Sequence, residues 1–437
     1  MDVLRWFYPG LKVKRWILVV LLGALLSFFG IVVLLGPSKV ALLGKQSFVT
    51  LGEILGAYSR YNGIIFLIIG GFTCWYGFKK TMHSVMTAAV PQEEEKLVKL
   101  LNRRRQQKMG PKIVALGGGT GLPNLLRGLK PYTQNITAVV TVSDDGGSSG
   151  KLRGEFGMVP PGDVRNCLLA LADTEPLMEE IFNYRFKTEG DLEGHNVGNL
   201  IIAALNDKKG FKDALASVSR VLAVKGNVLP VTDQSLTLKA RCTDGTTVVG
   251  ESSISNQSKQ IEQVYLDEQD VSPLSEVITA LEEADAIILG PGSLYTSVIP
   301  NLLVPGIPEA IKNSQAVKIY VSNIMTQPGE TDNYRASDHL RSIIQHTEYN
   351  LVDTVLINGE LDVDSQTLAK YKEELQEPVQ PDIENLTNMK VDTIIKNFNG
   401  RNSLIRHDSE LLGEVIIKEV INKKKEVIRK KLFARRD

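Results

Sequence analysis

Apolar and polar positions divide the chain into two regions of different character. Residues 16–36 (WILVVLLGALLSFFGIVVLLG) carry no charge, and their number matches the roughly 20 residues a membrane-spanning helix needs. A second apolar run, residues 61–78, lies near the lower limit of a span. It ends in Trp75, Tyr76 and Phe78, side chains suited to a membrane interface. The pattern predicts a transmembrane helical hairpin over residues 1–90. A cleaved signal peptide fits poorly, because the first run is too long and no small-x-small cleavage site follows it. Residues 91–110, containing QEEEKLVKLLNRRRQQKMG, read as a charged helical linker.

From residue 111 the period changes. Short apolar runs at 112–116, 136–142, 285–290, 316–322 and 351–358 each lead into a Gly-rich or polar turn and then a helical pattern. Strands apolar on both faces, alternating with helices, predict a parallel α/β sheet covered on both sides. Ligands of such sheets bind at the carboxyl ends of the strands. Residues 227–252 alternate instead and contain a Thr-Asp-Gly turn, which predicts a β-hairpin insert. The domain is expected to run from 111 to 422, followed by a basic tail, 423–437.

Charge adds an orientation. Lys plus Arg and Asp plus Glu both total 50, so no overall field draws the protein to nucleic acid, and no nucleic-acid partner is expected. Arg5, Lys12, Lys14 and Arg15 precede the first span, and Lys79, Lys80, Arg103, Arg104 and Arg105 follow the second. The intervening loop has Lys39, Lys45 and Arg60, with Glu53 offsetting one. The positive-inside rule therefore predicts a multi-pass protein of the cell membrane with both termini and the large domain in the cytoplasm. The tail interleaves eight Lys/Arg with Val427, Ile428, Leu432 and Phe433; it suits either an anionic lipid surface or a solvated helix end. Three scattered cysteines and five histidines exclude a disulfide framework or structural zinc site.

The candidate chemistry lies in the turns. Gly117, Gly118, Gly119, Thr120 and Gly121 stand between a strand and a helix, where backbone amides can receive phosphate; a tight packing turn is the alternative. The dinucleotide spacing G-x-G-x-x-G fails at Leu122, which leaves an NAD-dependent oxidoreductase a distant reading. Gly290, Gly292, Ser293 and Thr296 form a second such loop. Together the two suit a ligand with more than one phosphate. In PPGDVRN, Asp163 is a helix cap or a ligand contact, Arg165 a plausible phosphate partner, and Asn166 adjoins them. In GHNVGN, Asn196 and Asn199 are ligand candidates, while His195 reads as a helix-start hydrogen-bonding group.

In order along residues 112–420, KIVALGGGTGLPNLLRGLK, VTVSDDGGSSGKLR, PPGDVRN, GHNVGNLI, GPGSLYTSVIPNLLVPGI, VSNIMTQPGET and NSLIRHD resemble the gluconeogenesis factor (YvcK-like) family. That family is a branch of the 2-phospho-L-lactate transferase (CofD-like) superfamily. The resemblance implies a Rossmann-like three-layer fold, binding of a UDP-linked sugar such as UDP-N-acetylglucosamine, and a role in cell shape and envelope synthesis during gluconeogenic growth. The transferase cousins move phospholactate from a nucleotide carrier to a deazaflavin with a divalent metal. By that resemblance Asp144 and Asp145 are candidate Mg²⁺ ligands, and Asn323, Tyr371 and Arg406 join the ligand set. The alternative for Tyr371 is a half-buried helix residue, and for Arg406 an ion pair with Asp408. A homo-oligomer is a further expectation. Usual members are soluble, so the membrane hairpin is a departure.

Overall fold

The computed structural model describes residues 13–35, 60–89, 105–174, 176–187, 189–400 and 404–422. The chain divides into two compact units, residues 1–104 and 105–437.

The first unit pairs α1 (Val13–Leu35) with α2 (Arg60–Ala89). Glycines seven residues apart form the seam: Gly23 and Gly30 on α1, and Gly63, Gly70 and Gly77 on α2. A Cβ on Gly23 would lie 2.5 Å from the Cys74 nitrogen, and one on Gly70 2.5 Å from the Ser27 nitrogen. Without side chains there, the backbones can touch, as in membrane helix pairs. The outward faces expose Leu18, Leu22, Leu25, Phe28, Ile68 and Phe72. At one end Lys80 lies over the Trp16 ring at 5.8 Å and Lys79 over Trp75 at 5.3 Å. Arg15–Leu34 and Tyr61–Met82 are long and apolar enough to cross a membrane.

Among its described residues the second unit has ten strands: β1 Ile113–Gly117, β2 Ile136–Val140, β3 Asn227–Pro230, β4 Leu238–Cys242, β5 Thr247–Val249, β6 Ile261–Leu266, β7 Ala286–Leu289, β8 Val317–Val321, β9 Thr354–Asn358 and β10 Asp392–Lys396. Seven form one sheet in the order β10-β9-β8-β7-β1-β2-β3, with every pairing parallel. Alternate residues serve opposite faces: Ile113 and Ala115 pack into one apolar cluster, Val114 and Leu116 into the other. This is the doubly wound, Rossmann-like arrangement.

Three details differ from the sequence pattern. Residues 227–230 belong to the main sheet, because the ladder with β2 continues into Val231 N–H, which donates to Val140 O at 2.9 Å. The hairpin proper is β4–β5, and β6 adds a third antiparallel strand. β10 is an edge strand with no fully buried residue, so its apolar signal is weak. Finally, Gln107, within the expected linker, is buried and donates from Nε2 to Pro131 O at 2.9 Å, tying residues 105–110 to the α/β unit. Residues 92–104 and the tail 423–437 lie outside the described residues.

Candidate functional site

Strand order reverses between β1 and β7, and the two glycine loops leave the sheet at that switch point. The β1 loop enters α3 (Gly121–Leu129). Gly117 ends β1, Gly118 abuts Asp163, and Gly119 adopts φ 59°, a left-handed value that suits glycine. A Cβ on Gly121 would lie 2.2 Å from Pro291 O, so the two loops meet backbone to backbone. Gly290 turns the second loop at φ 74°. A cleft of about 720 Å³ opens here, lined by Gly119, Thr120, Gly121, Gly292, Ser293, Thr296 and Asn323, and by Tyr371 and Arg406 opposite.

Hydrogen bonding separates the roles of the two loops. Ser293 Oγ accepts from Thr296 N–H (3.1 Å) and from Thr296 Oγ1–H (2.7 Å), and donates its own proton to Glu330. Gly292 N–H donates to Asn323 Oδ1 at 3.4 Å, and Tyr295 N–H is directed to Glu330. The amides of Gly292, Tyr295 and Thr296 and the hydroxyls of Ser293 and Thr296 are thus turned inward. In the first loop Gly119 N–H is taken by Asp163 at 2.7 Å. The amides of Thr120 and Gly121 open α3, where a helix leaves its first N–H groups without internal partners.

The neighbouring aspartates diverge. Asp144 Oδ1 accepts Gly146 N–H at 2.9 Å. Asp145 Oδ1 accepts Ser252 N–H at 2.9 Å, capping the short helix Glu251–Ser255 of the insert from outside it. Each aspartate thus commits one oxygen to a backbone amide, and Asp145 in doing so ties the insert to the acidic loop. Around Asp144 the carboxylates crowd. Burial raises Asp163 to about 6, with Asp144 adding to the rise; the Gly119 amide and Arg165 oppose it. Burial and then Asp144, Asp145, Asp163 and Glu330 raise Glu251 to about 7. No group of three metal-binding side chains converges among the described residues. The donor set fits a hard cation held by one or two carboxylates and completed by water and ligand phosphate, and does not fit a full protein cage.

Arg165, on α4 (Pro161–Leu171), is buried. Its Nη1 donates to Asn199 Oδ1 (2.8 Å) and its Nη2 to Asn166 Oδ1 (2.7 Å), while Nε has no partner. Burial and Arg185 lower it to about 10, against Asp163 and Asp144. Asn196 caps the helix Val197–Lys209 by accepting Asn199 N–H at 3.2 Å. Ser148 Oγ accepts from Asn196 N–H and Asn199 Nδ2, which directs its proton to His195 Nδ1. Asn166, Asn196 and Asn199 thus build an inner frame around Arg165 and do not line the cleft; His195 is bonded at the helix start, as its sequence setting indicates.

The far wall consists of the helix Ser365–Glu373 and the segment 404–407. Tyr371 Oη accepts Ile405 N–H at 2.9 Å, joining the two pieces. Asp408 caps the helix Ser409–Val415 through Leu411 N–H at 3.0 Å, and Arg406 has no ion pair among the described residues. Asn124 Nδ2 donates to His407 O at 2.5 Å, docking this wall on α3. Burial pushes the His407 imidazole down to about 4, and its Nε2–H donates to Ser322 O at 3.2 Å. Sequence reasoning missed Glu251, Lys370 and Asn124 as cleft groups, and Glu330 buried behind Ser293. Glu330 lies within VSNIMTQPGET, where the carboxylate after Pro-Gly was the available signal. Glu251 and Lys370 carry no motif.

A doubly wound parallel sheet with a glycine-lined cleft at its switch point defines a nucleotide-type α/β binding domain. The sequence pattern of the family "2-phospho-L-lactate transferase CofD" matches residues 113–399, and the chain belongs to that family. It is 47% identical to the gluconeogenesis factor of Bacillus subtilis over 70% of this chain and 97% of that one. A Clostridium acetobutylicum protein, provisionally given the same name, is 42% identical over 99% of this chain and 95% of its own, so that match takes in the N-terminal helices. A crystal structure of a Bacillus halodurans protein, 48% identical, aligns with a TM-score of 0.69 over 71% of this chain and 100% of that chain.

Proposed function

We propose that this chain is a membrane-anchored regulator of the gluconeogenesis factor type that binds a UDP-linked sugar on the cytoplasmic face and governs cell shape and envelope synthesis during gluconeogenic growth. The carrying observation is the cleft itself: α3 amides and an arginine wall face one another across a space of about 720 Å³, within the range of ligand sites. The names of the relatives support the gluconeogenic context. The apolar outer faces of α1 and α2 support the anchor, since among the described residues of their own unit nothing covers them. Asp144 would hold magnesium, whose charge when bound would offset the crowding of Asp144, Asp163 and Glu251.

The second reading is a Mg²⁺-dependent 2-phospho-L-lactate transferase of deazaflavin cofactor synthesis, favoured by the family match over residues 113–399. Against it, the hydroxyls of Ser293 and Thr296 and the carboxylate of Asp145 are committed to internal bonds, which suits binding better than chemistry. The full chain in detergent, incubated with Mg²⁺, deazaflavin and the phospholactyl nucleotide, separates the two. Turnover supports the transferase. Binding of UDP-N-acetylglucosamine by calorimetry without turnover supports the regulator.

A further inference from the structure

Beside Glu251, the hydroxyl protons of Thr296, Ser293 and Ser255 each have a destination. Thr296 donates to Ser293 and Ser293 to Glu330. Ser255 donates towards Glu251 Oε1 and Glu330 Oε1, both at 3.3 Å. The amides of Gly292, Tyr295 and Thr296 are taken by Asn323, Glu330 and Ser293. What these groups leave open is acceptor oxygen: the carboxylate of Glu251, which lines the cleft, and the lone pairs of the hydroxyls, with Glu330 buried behind them. A phosphate needs donors or cations and finds none of these side chains offering one. Polyol hydroxyls are donors, and a carboxylate receives them through charge-assisted bonds.

The other end has the opposite character. The amides of Thr120 and Gly121 open α3, and Lys370 and Arg406 line the wall that Asn124 docks onto α3. No ion pair of Lys370 or Arg406 is found among the described residues. Arg406 can offer a planar fork to two phosphate oxygens.

We infer that the cleft holds a sugar nucleotide in one direction, with the diphosphate between the start of α3 and the Lys370–Arg406 wall and the sugar hydroxyls at Glu251. This deepens the UDP-sugar reading and rests on it. Glu251 becomes the residue that reads the sugar, while Lys370 and Arg406 read the phosphates. The hydroxyl relay from Thr296 through Ser293 to Glu330 turns those two protons away from the sugar.

The test uses the full chain in detergent and calorimetry with two probes, UDP and UDP-N-acetylglucosamine. Glu251→Ala removes the sugar acceptor. It should weaken UDP-N-acetylglucosamine roughly tenfold or more, the loss of a charged hydrogen bond, and leave UDP unchanged or tighter. Glu251→Gln, which keeps an oxygen acceptor and the side-chain volume, should lose less and guards against misfolding. Lys370→Ala and Arg406→Ala should weaken both probes alike. A parallel loss of both probes in Glu251→Ala and Glu251→Gln would overturn the direction, since Glu251 would then stand at the phosphates. Equal affinity of both Glu251 variants and wild type for the sugar nucleotide would also overturn it. Failure of the wild type to bind either probe is a different result and would remove the sugar-nucleotide reading itself.

Discussion

The carboxylate of Asp145 accepts the amide of Ser252 at 2.9 Å across 107 residues of chain. The acidic loop after β2 therefore holds the three-stranded insert and, with it, Glu251. Asp145→Ala leaves that amide without its acceptor, and loss of such a cap costs about 0.5–2 kcal/mol. Faster hydrogen exchange at residues 250–255, with the global melting temperature little changed, is the expected outcome. Unchanged exchange there would show that the tie is not needed.

A second prediction concerns the docking of the far wall. Gly128 on α3 and Gly413 on the helix Ser409–Val415 touch through their backbones: a Cβ on Gly128 would lie 1.8 Å from Ser409 O, and one on Gly413 2.1 Å from Gly128 O. Neither backbone can move aside without separating the helices. Gly128→Ala should destabilise the fold by about 1–3 kcal/mol, the usual range for overpacking, as read by chemical denaturation. Wild-type stability would mean that the helices part without cost.

Tyr371 allows ring and hydroxyl to be separated. Tyr371→Phe keeps the ring and removes the acceptor of Ile405 N–H, leaving Arg406 less firmly placed. A net hydrogen bond is worth about 0.5–1.5 kcal/mol, so affinity for UDP-N-acetylglucosamine should fall by about 2- to 13-fold. Tyr371→Ala should lose more. If the Phe variant binds like wild type, the ring alone carries the contribution.

Stability should depend on pH through His407. Its folded value, about 4, lies below the ordinary 6.5. On acidification the unfolded chain takes up this proton first. The contribution is therefore complete above about pH 6.5 and is lost as pH falls toward 4, amounting to on the order of 3 kcal/mol. His407→Gln should flatten the stability profile across that window relative to wild type. Denaturant titrations at intervals between pH 7.5 and 4 are the measurement, and parallel profiles would assign the pH dependence elsewhere.

Membrane topology is open to cysteine labelling in intact cells. A cysteine placed at Ser47, between the apolar stretches, should react with an impermeant reagent, and one at Ser403 should not. Labelling at Ser403 alone would reverse the orientation.

Much of this arrangement was legible before the fold. Runs such as residues 112–116 and 285–290 are apolar at every strand position, and a glycine cluster after each marks a loop at the carboxyl edge. Which donors those loops leave open was not legible. Ser293 looks like a phosphate ligand until Glu330, 37 residues on, takes its proton. Asp145 reads as a metal ligand alone, and its second task, holding the insert through Ser252, is invisible in the sequence. Asn199 looks ligand-facing until Arg165 and Ser148 occupy it. Each reversal depends on a partner distant in sequence and ordinary in type. The strand β3 was misjudged for a simpler reason: four residues are too few to reveal which sheet they join.

The bond from Asn124 to His407 spans 283 residues. One wall of the cleft is therefore among the first parts of the α/β unit to leave the ribosome, and the opposite wall is among the last. A nascent or truncated chain ending before Arg406 can complete its sheet and still present half a cleft. Ligand binding in this architecture doubles as proof of a finished chain, because the segment that closes the cleft also brings Leu412, Val415 and Ile416 into the core.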